Sequence, residues 1–127
     1  MYQGQTFYIC NHCKNIASLV MDQGPRLVCC GEQMHEIVPN TVDASVEKHL
    51  PAVTVDGDAI TVQIGSTIHP MTEEHHICFI YVATEDGGQR KRLVAGDEPI
   101  RKFVFVADKP KAVYAYCNLH GLWITEL

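Results

Sequence analysis

No stretch of the sequence approaches the roughly 20 consecutive apolar residues that cross a bilayer. The opening residues, Met-Tyr-Gln-Gly-Gln-Thr, lack both the basic region and the apolar region of an export signal. The expectation is a soluble, cytoplasmic chain. Cations are also scarce. Ten Lys plus Arg against fifteen Asp plus Glu leave a net charge of -5, which argues against nucleic-acid or anionic-membrane partners. Any anion must therefore be attracted locally. There is no helix-period segment of useful length, no internal repeat and no low-complexity run. A disordered tail is excluded as well, because 46% of the 127 residues are hydrophobic, enough for one ordinary domain or two small ones.

What the sequence does hold is six Cys and seven His. Without an export signal, a reducing compartment favours metal ligation over disulfides. Cys10, Cys13, Cys29 and Cys30 lie in the first thirty residues and five histidines lie after position 40, so the chain has two differently composed regions. Val38-Pro39-Asn40-Thr41 is a plausible joint, since Pro and Asn favour turns. The reading is a small module over residues 1–36 and a larger domain over 41–127. A module that short buries too little apolar surface to hold itself together, so its four cysteines must supply the staple.

The larger region reads as strands. Residues 53–64 carry an Asp-Gly turn signal, with Ile60, Val62 and Ile64 on one face and Thr61 and Gln63 on the other. Residues 77–84 are apolar on both faces, as in a central strand or one at a subunit contact. Further strands are expected near 90–94, 101–107, 111–117 and 122–126. About seven short strands predict an all-β chain whose larger domain is a seven-stranded immunoglobulin-like β-sandwich.

Cys10-Asn-His-Cys13 is a knuckle whose spacing lets both thiolates face one ion, and Cys29-Cys30 followed by Gly31 supplies a second pair. Together they can form a tetrahedral tetrathiolate site for zinc or a single iron. Two disulfides or a purely structural zinc knuckle are the bland alternatives. Adjacent cysteines depart from the usual spacing and should strain the backbone if both aim inward.

The second constellation is scattered: Glu47-Lys48-His49, His69-Pro70-Met71, His75-His76 and Cys117-Asn-Leu-His120-Gly121. Cys117 and His120 form a local two-ligand hook, with Gly121 allowing a tight turn. Pro70 stiffens the segment that carries His69. His75 and His76 point to opposite sides of an extended segment, so only one of them is expected to reach a shared ion. Imidazoles from His49, His69, His75 and His120 with the Cys117 thiolate would fill five octahedral positions. Structural zinc normally takes four ligands, so this set points to a redox iron with one open position. His12, His35, His76 and Cys78 are left as bystanders, Cys78 as a small buried hydrophobe.

These residues resemble desulfoferrodoxin, the two-iron class of superoxide reductase, over nearly the whole chain. The resemblance is carried by Phe7-Tyr-Ile-Cys-Asn-His-Cys13, Cys29-Cys-Gly31, Asn40-Thr-Val-Asp-Ala44, Glu47-Lys-His-Leu-Pro51, His69-Pro-Met71, His75 and Cys117-Asn-Leu-His-Gly-Leu-Trp123. It implies a desulforedoxin-like module with iron on Cys10, Cys13, Cys29 and Cys30. It also implies a catalytic domain with iron on His49, His69, His75 and His120 in a plane and Cys117 axial. In the family, the Lys matching Lys48 attracts superoxide and the Glu matching Glu47 can take the sixth position. One-electron reduction of superoxide to hydrogen peroxide, electron supply from rubredoxin or a similar donor, and a homodimer are implied in the same way. Two departures stand out: Gln23-Gly24-Pro25 where relatives often have a glycine run, and Cys78 where many have tryptophan. A non-enzymatic iron electron carrier is the competing reading, although a carrier needs neither an open position nor Lys48.

Overall fold

The computed structural model describes residues 2–127. The chain separates into two compact units, Gln3–Val38 and Pro39–Leu127, with Tyr2 grouping with the second.

Five two-residue strands build the smaller unit: β1 Tyr8–Ile9, β2 Ile16–Ala17, β3 Val28–Cys29, β4 Glu32–Gln33 and β5 His35–Glu36. Strands β2, β1 and β5 form one antiparallel sheet in that order, and β3 and β4 form a hairpin. Its apolar cluster is small, Tyr8, Cys10 and Met34, with Ala17, Leu19 and Cys29 packed against it. The Arg26 guanidinium closes one side, 5.2 Å from the centre of the Tyr8 ring, with Nη1 donating to the Met34 carbonyl at 3.1 Å. At roughly 1.5–3 kcal/mol per fully buried large side chain, so small a core cannot offset the ordering of some thirty-five residues.

In the larger unit a single helical turn, α1 Val46–His49, precedes seven strands: β6 Pro51–Asp56, β7 Ala59–Ile64, β8 Ile77–Thr84, β9 Gly88–Arg92, β10 Ile100–Val104, β11 Pro110–Cys117 and β12 Gly121–Glu126. They form a three-stranded sheet in the order β10-β7-β6 and a four-stranded sheet in the order β12-β11-β8-β9. The chain is all-β apart from α1, and the expected seven-stranded sandwich is present. Ile60, Val62, Ile64 and Phe103 of one sheet share a buried core with Ile80, Val82, Val113 and Ala115 of the other. Thr61 is exposed between them, as strand alternation requires. β8 lies between β11 and β9; Ile80 and Val82 face the core, while on its other face Phe79 stacks on Tyr116 and Tyr81 tilts against Tyr114.

Strand direction decides where chemistry can gather. β6 starts and β7 ends at the same pole, Pro51 pairing with Ile64. β8 and β12 start there and β11 ends there, Cys117 pairing with both Ile77 and Gly121. His49, His69, His75, Cys117 and His120 therefore all fall at one end of the sandwich. Gly65, at φ +82°, lets α1 lie against the end of β7: a Cβ there would sit 2.8 Å from the Lys48 Cα.

Candidate metal centres

In the smaller unit the adjacent cysteines are accommodated by a turn. Val28 pairs with Gln33 and Cys29 with Glu32, leaving a two-residue loop of Cys30 and Gly31 at φ +54° and +76°. Two successive positive φ values define a type I′ hairpin turn, which curls Cys30 back beside Cys29. The expected backbone strain is thus real but local: it falls on one non-glycine residue in the left-handed region. Across from it, Cys10 is buried and accepts the Cys13 N–H at 3.5 Å on its sulfur, while the Lys14 N–H donates to the Cys10 carbonyl at 2.9 Å.

All four sulfurs lie within 4.8 Å of one another, and all are free thiols. Cys13 and Cys29 Sγ are 3.6 Å apart and Cys29 and Cys30 Sγ 4.0 Å apart. A metal–sulfur bond of about 2.3 Å implies a tetrahedral edge of about 3.8 Å, so these separations fit a metal tetrathiolate and are far too long for disulfides. The backbone N–H of Cys13 lowers the Cys10 thiol to about 6. Cys30 is pushed up to about 12, first by its hydrogen bond with Cys10 and then by Cys13 and Cys29. The Cys10 thiolate thus sits beside Cys29 and Cys30, whose thiols are both pushed up. His12 is exposed and turned away, its Nε2 3.0 Å from Glu32 Oε2, and the other oxygen of Glu32 lies 2.7 Å from His35 Nε2.

At the pole of the larger unit, four imidazoles occupy the corners of a near-square. Ring centres are 4.7 Å apart for His49–His69, 4.6 Å for His69–His75, 5.0 Å for His75–His120 and 4.9 Å for His120–His49, with a longer 6.3 Å diagonal from His49 to His75. Neighbouring rings stand edge to face, at 74° to 86°. His49 Nδ1 donates to the Ser45 carbonyl at 2.6 Å and His69 Nδ1 to the Pro70 carbonyl at 2.7 Å. Each bond fixes the tautomer and leaves the Nε2 lone pair facing inward.

Nε2 of His69 and of His75 are buried with no hydrogen-bond partner. An orphaned buried polar atom costs about 1–3 kcal/mol, and two in one cluster mark a place built for something else to bind. One ligand atom each from His49, His69, His75 and Cys117 lies within 4.8 Å of the others. His120 stands just outside this tightest quartet. Its Nδ1 is 3.1 Å from His49 Nε2 and 3.9 Å from Cys117 Sγ, which places it on the same inward side.

Burial lowers the pKa of His69 to about 4, and lowers those of His49 and His75 as well. All three are therefore neutral near pH 7, the form that ligates. Cys117 is fully buried and its thiol is pushed up by desolvation, against the backbone N–H groups of Leu119 and His120. Donors aimed at a sulfur are what a thiolate ligand requires.

Glu47 and Lys48 are exposed on α1 beside His49. The Lys48 charge contributes to depressing both His49 and His75, so its field reaches the cluster. Glu47 is held below the usual carboxylate range by its own backbone N–H first, then by Ser45, with smaller contributions from Lys48 and His49. His76 faces away, its Nδ1 donating to the Thr72 carbonyl at 2.9 Å, and Cys78 is half-buried. Sequence reasoning named Trp123 only as part of a motif and gave it no role; it stacks on His49 at 5.0 Å and donates its Nε1–H to the His120 carbonyl at 3.1 Å. The only tryptophan of the chain, three residues past a ligand candidate, was the available signal.

The family model for desulfoferrodoxin matches residues 41–126. The chain belongs to the desulfoferrodoxin family. Desulfoferrodoxin of Syntrophotalea carbinolica is 41% identical over 119 residues, covering 94% of each chain. The superoxide reductase of Pyrococcus abyssi is 37% identical and covers 64% of this chain and 86% of its own length. The crystal structure of the superoxide reductase from Treponema pallidum superposes with a TM-score of 0.81 at 32% identity, covering 98% of this chain and all of that one. The tetrathiolate and the histidine–cysteine cluster suit the two irons of the desulfoferrodoxin family.

Proposed function

We propose that this chain is a superoxide reductase, reducing superoxide by one electron to hydrogen peroxide without releasing dioxygen. The observation that carries the reading is the square of imidazoles, two of them with orphaned Nε2 atoms, gathered with one buried cysteine at an end of the sandwich that also bears an exposed lysine. His49, His69, His75, His120 and Cys117 would hold the catalytic iron, and Cys10, Cys13, Cys29 and Cys30 the second. Iron bound at the histidine–cysteine centre supplies a one-electron couple and an open position for a small anion.

The remaining work falls to the protein. On a chain of net charge -5, Lys48 gives the mouth of the site a local positive potential that gathers the anion, and local field outweighs net charge at short range. Its ammonium holds the reduced species while two protons arrive from solvent, since one superoxide, one electron and two protons make one hydrogen peroxide. Glu47, on the same turn, is the carboxylate able to occupy the open position between turnovers. The tied Nδ1 atoms of His49 and His69 keep two ligands oriented without reorganisation. The four-cysteine centre offers no open position. It serves as a staple for residues 1–36 and as a relay for electrons from a small donor such as rubredoxin, with residues 41–127 as the catalytic domain. We further propose that the chain acts as a homodimer in the cytoplasm, in detoxification.

Stopped-flow mixing of the reduced, iron-loaded protein with superoxide tests the reading. Wild type should consume superoxide and yield peroxide with no dioxygen beyond spontaneous dismutation. Lys48→Ala should capture superoxide about tenfold more slowly, at the low end of the 10–1000-fold range that focused charge can supply, and still form peroxide. Dioxygen in dismutation stoichiometry would sink the assignment.

A further inference from the structure

We propose that Asn118 is a positioning residue for the histidine–cysteine centre, clamping the loop that carries His75 onto the turn that carries Cys117 and His120. The inference rests on the reading that those residues share one metal.

The pairing of β8 with β11 becomes irregular where the ligands begin. The register shifts between Tyr116 and Cys117, and the ladder ends at the pair Cys117 and Ile77. Beyond it, residues 72–76 and 118–120 are no longer held together by regular strand pairing, although each segment carries a ligand candidate. Asn118 takes over that connection. Its Oδ1 accepts the His76 N–H at 2.9 Å and its Nδ2 donates to the Glu74 carbonyl at 3.0 Å, so its amide grips the residues on both sides of His75. Its own backbone N–H donates to the His76 carbonyl at 3.2 Å.

His75 depends on such a clamp more than its neighbours do. The rings of His49 and His69 are oriented by bonds to carbonyls, whereas the hydrogen bonds of His75 are made by its backbone. Thr72 accepts the His75 N–H on Oγ1 at 3.1 Å and donates from its own N–H and Oγ1 to the His75 carbonyl, at 2.9 and 3.2 Å. Thr72 thus sets His75 within its loop, and Asn118 sets the loop against the thiolate. An amide is suited to the task because one face must accept and the other donate. Asp keeps only the acceptor, and Ala keeps neither.

The test uses the full chain loaded with Co2+, whose thiolate charge-transfer band reports sulfur ligation independently of any reaction with superoxide. Variant-minus-wild-type difference spectra isolate the centre that Asn118 touches. Asn118→Ala should displace that band and speed one phase of cobalt loss to a chelator by about 10–100-fold, the usual cost of removing a partner that orients a ligand. Asn118→Asp should fall between Ala and wild type, and it decides the matter if the Ala variant does not fold. Asn40→Asp is the matched control. Asn40 bonds Ile124 with the same two-sided amide, at 2.9 and 3.3 Å, on β12. That control should lower thermal stability and leave the band and the release rate as in wild type. Folded Asn118 variants with a wild-type band and release rate would overturn the proposal. A wild type that shows the band and responds to Asn118 but does not reduce superoxide would overturn only the catalytic reading.

Discussion

A single buried phenol shows how far one side chain can govern behaviour here. Tyr114 lies 1% exposed on β11, and its pKa is pushed up to about 12, by burial first and then by the charges of Tyr2, Glu126 and Tyr81. In the unfolded chain a tyrosine ionises near 10. Its contribution to stability is therefore complete below pH 10 and is lost as pH rises through about 12, because the unfolded state releases the proton first. Alkaline denaturation should steepen between those values, and Tyr114→Phe should flatten that limb; a Phe variant with an unchanged alkaline limb would refute the argument. The candidate ligands were legible at this same scale. Cys-x-x-Cys, His-Pro and Cys-x-x-His each announce themselves within four residues, because their geometry is local. The roles of Asn118 and Trp123 did not show, because an amide or an indole inside a motif does not reveal its partners until the ladder beside it is known.

Among the elements of the larger unit, α1 is the one the sequence concealed. A four-residue turn is shorter than any window in which a helical period can be recognised, and Glu47-Lys48-His49 reads equally well as a loop. The turn matters because it buries His49 while leaving Glu47 and Lys48 in solvent. Gly65 holds it there, by its positive φ and by the space its missing Cβ leaves beside Lys48. Gly65→Ala should cost about 1–3 kcal/mol of stability through strain at that φ, and should slow superoxide capture severalfold as Lys48 moves. Equilibrium denaturation and stopped-flow capture check the two effects separately, and an unchanged capture rate would mean that α1 keeps its place without Gly65. The Cys30–Gly31 turn is a half-legible case. Cys29-Cys30 signalled a ligand pair, yet only the β3–β4 register shows that Cys30 must share the left-handed conformation of Gly31.

For the whole molecule, the contrast between a three-residue cluster in one unit and a twelve-residue core in the other sets the response to metal removal. Stripping both centres with a chelator should unfold residues 3–38 and leave the sandwich protected, since metal binding and folding are one equilibrium where the core is too small to stand alone. Amide exchange should show protection lost at Tyr8 and Ile9 and retained at Val62 and Val113. Protection persisting in both units after complete removal would show that the tetrathiolate is not a staple. The sandwich was legible because alternation along Ile60, Val62 and Ile64 reports a buried face directly. That the scattered ligands share one ion was expected from their motifs, whereas which strands carry them to one pole was not legible, because strand direction, pairing and crossover are properties of the finished topology.

That gathering has a mechanical side. His49 and His69 hang from the three-stranded sheet through β6 and β7, whereas His75, Cys117 and His120 hang from the four-stranded sheet through β8, β11 and β12. An ion held by all five would be a rivet through both layers at one end of the sandwich. Loading should therefore slow unfolding more than it speeds folding, and a pull that parts the sheets should meet its resistance at the metal.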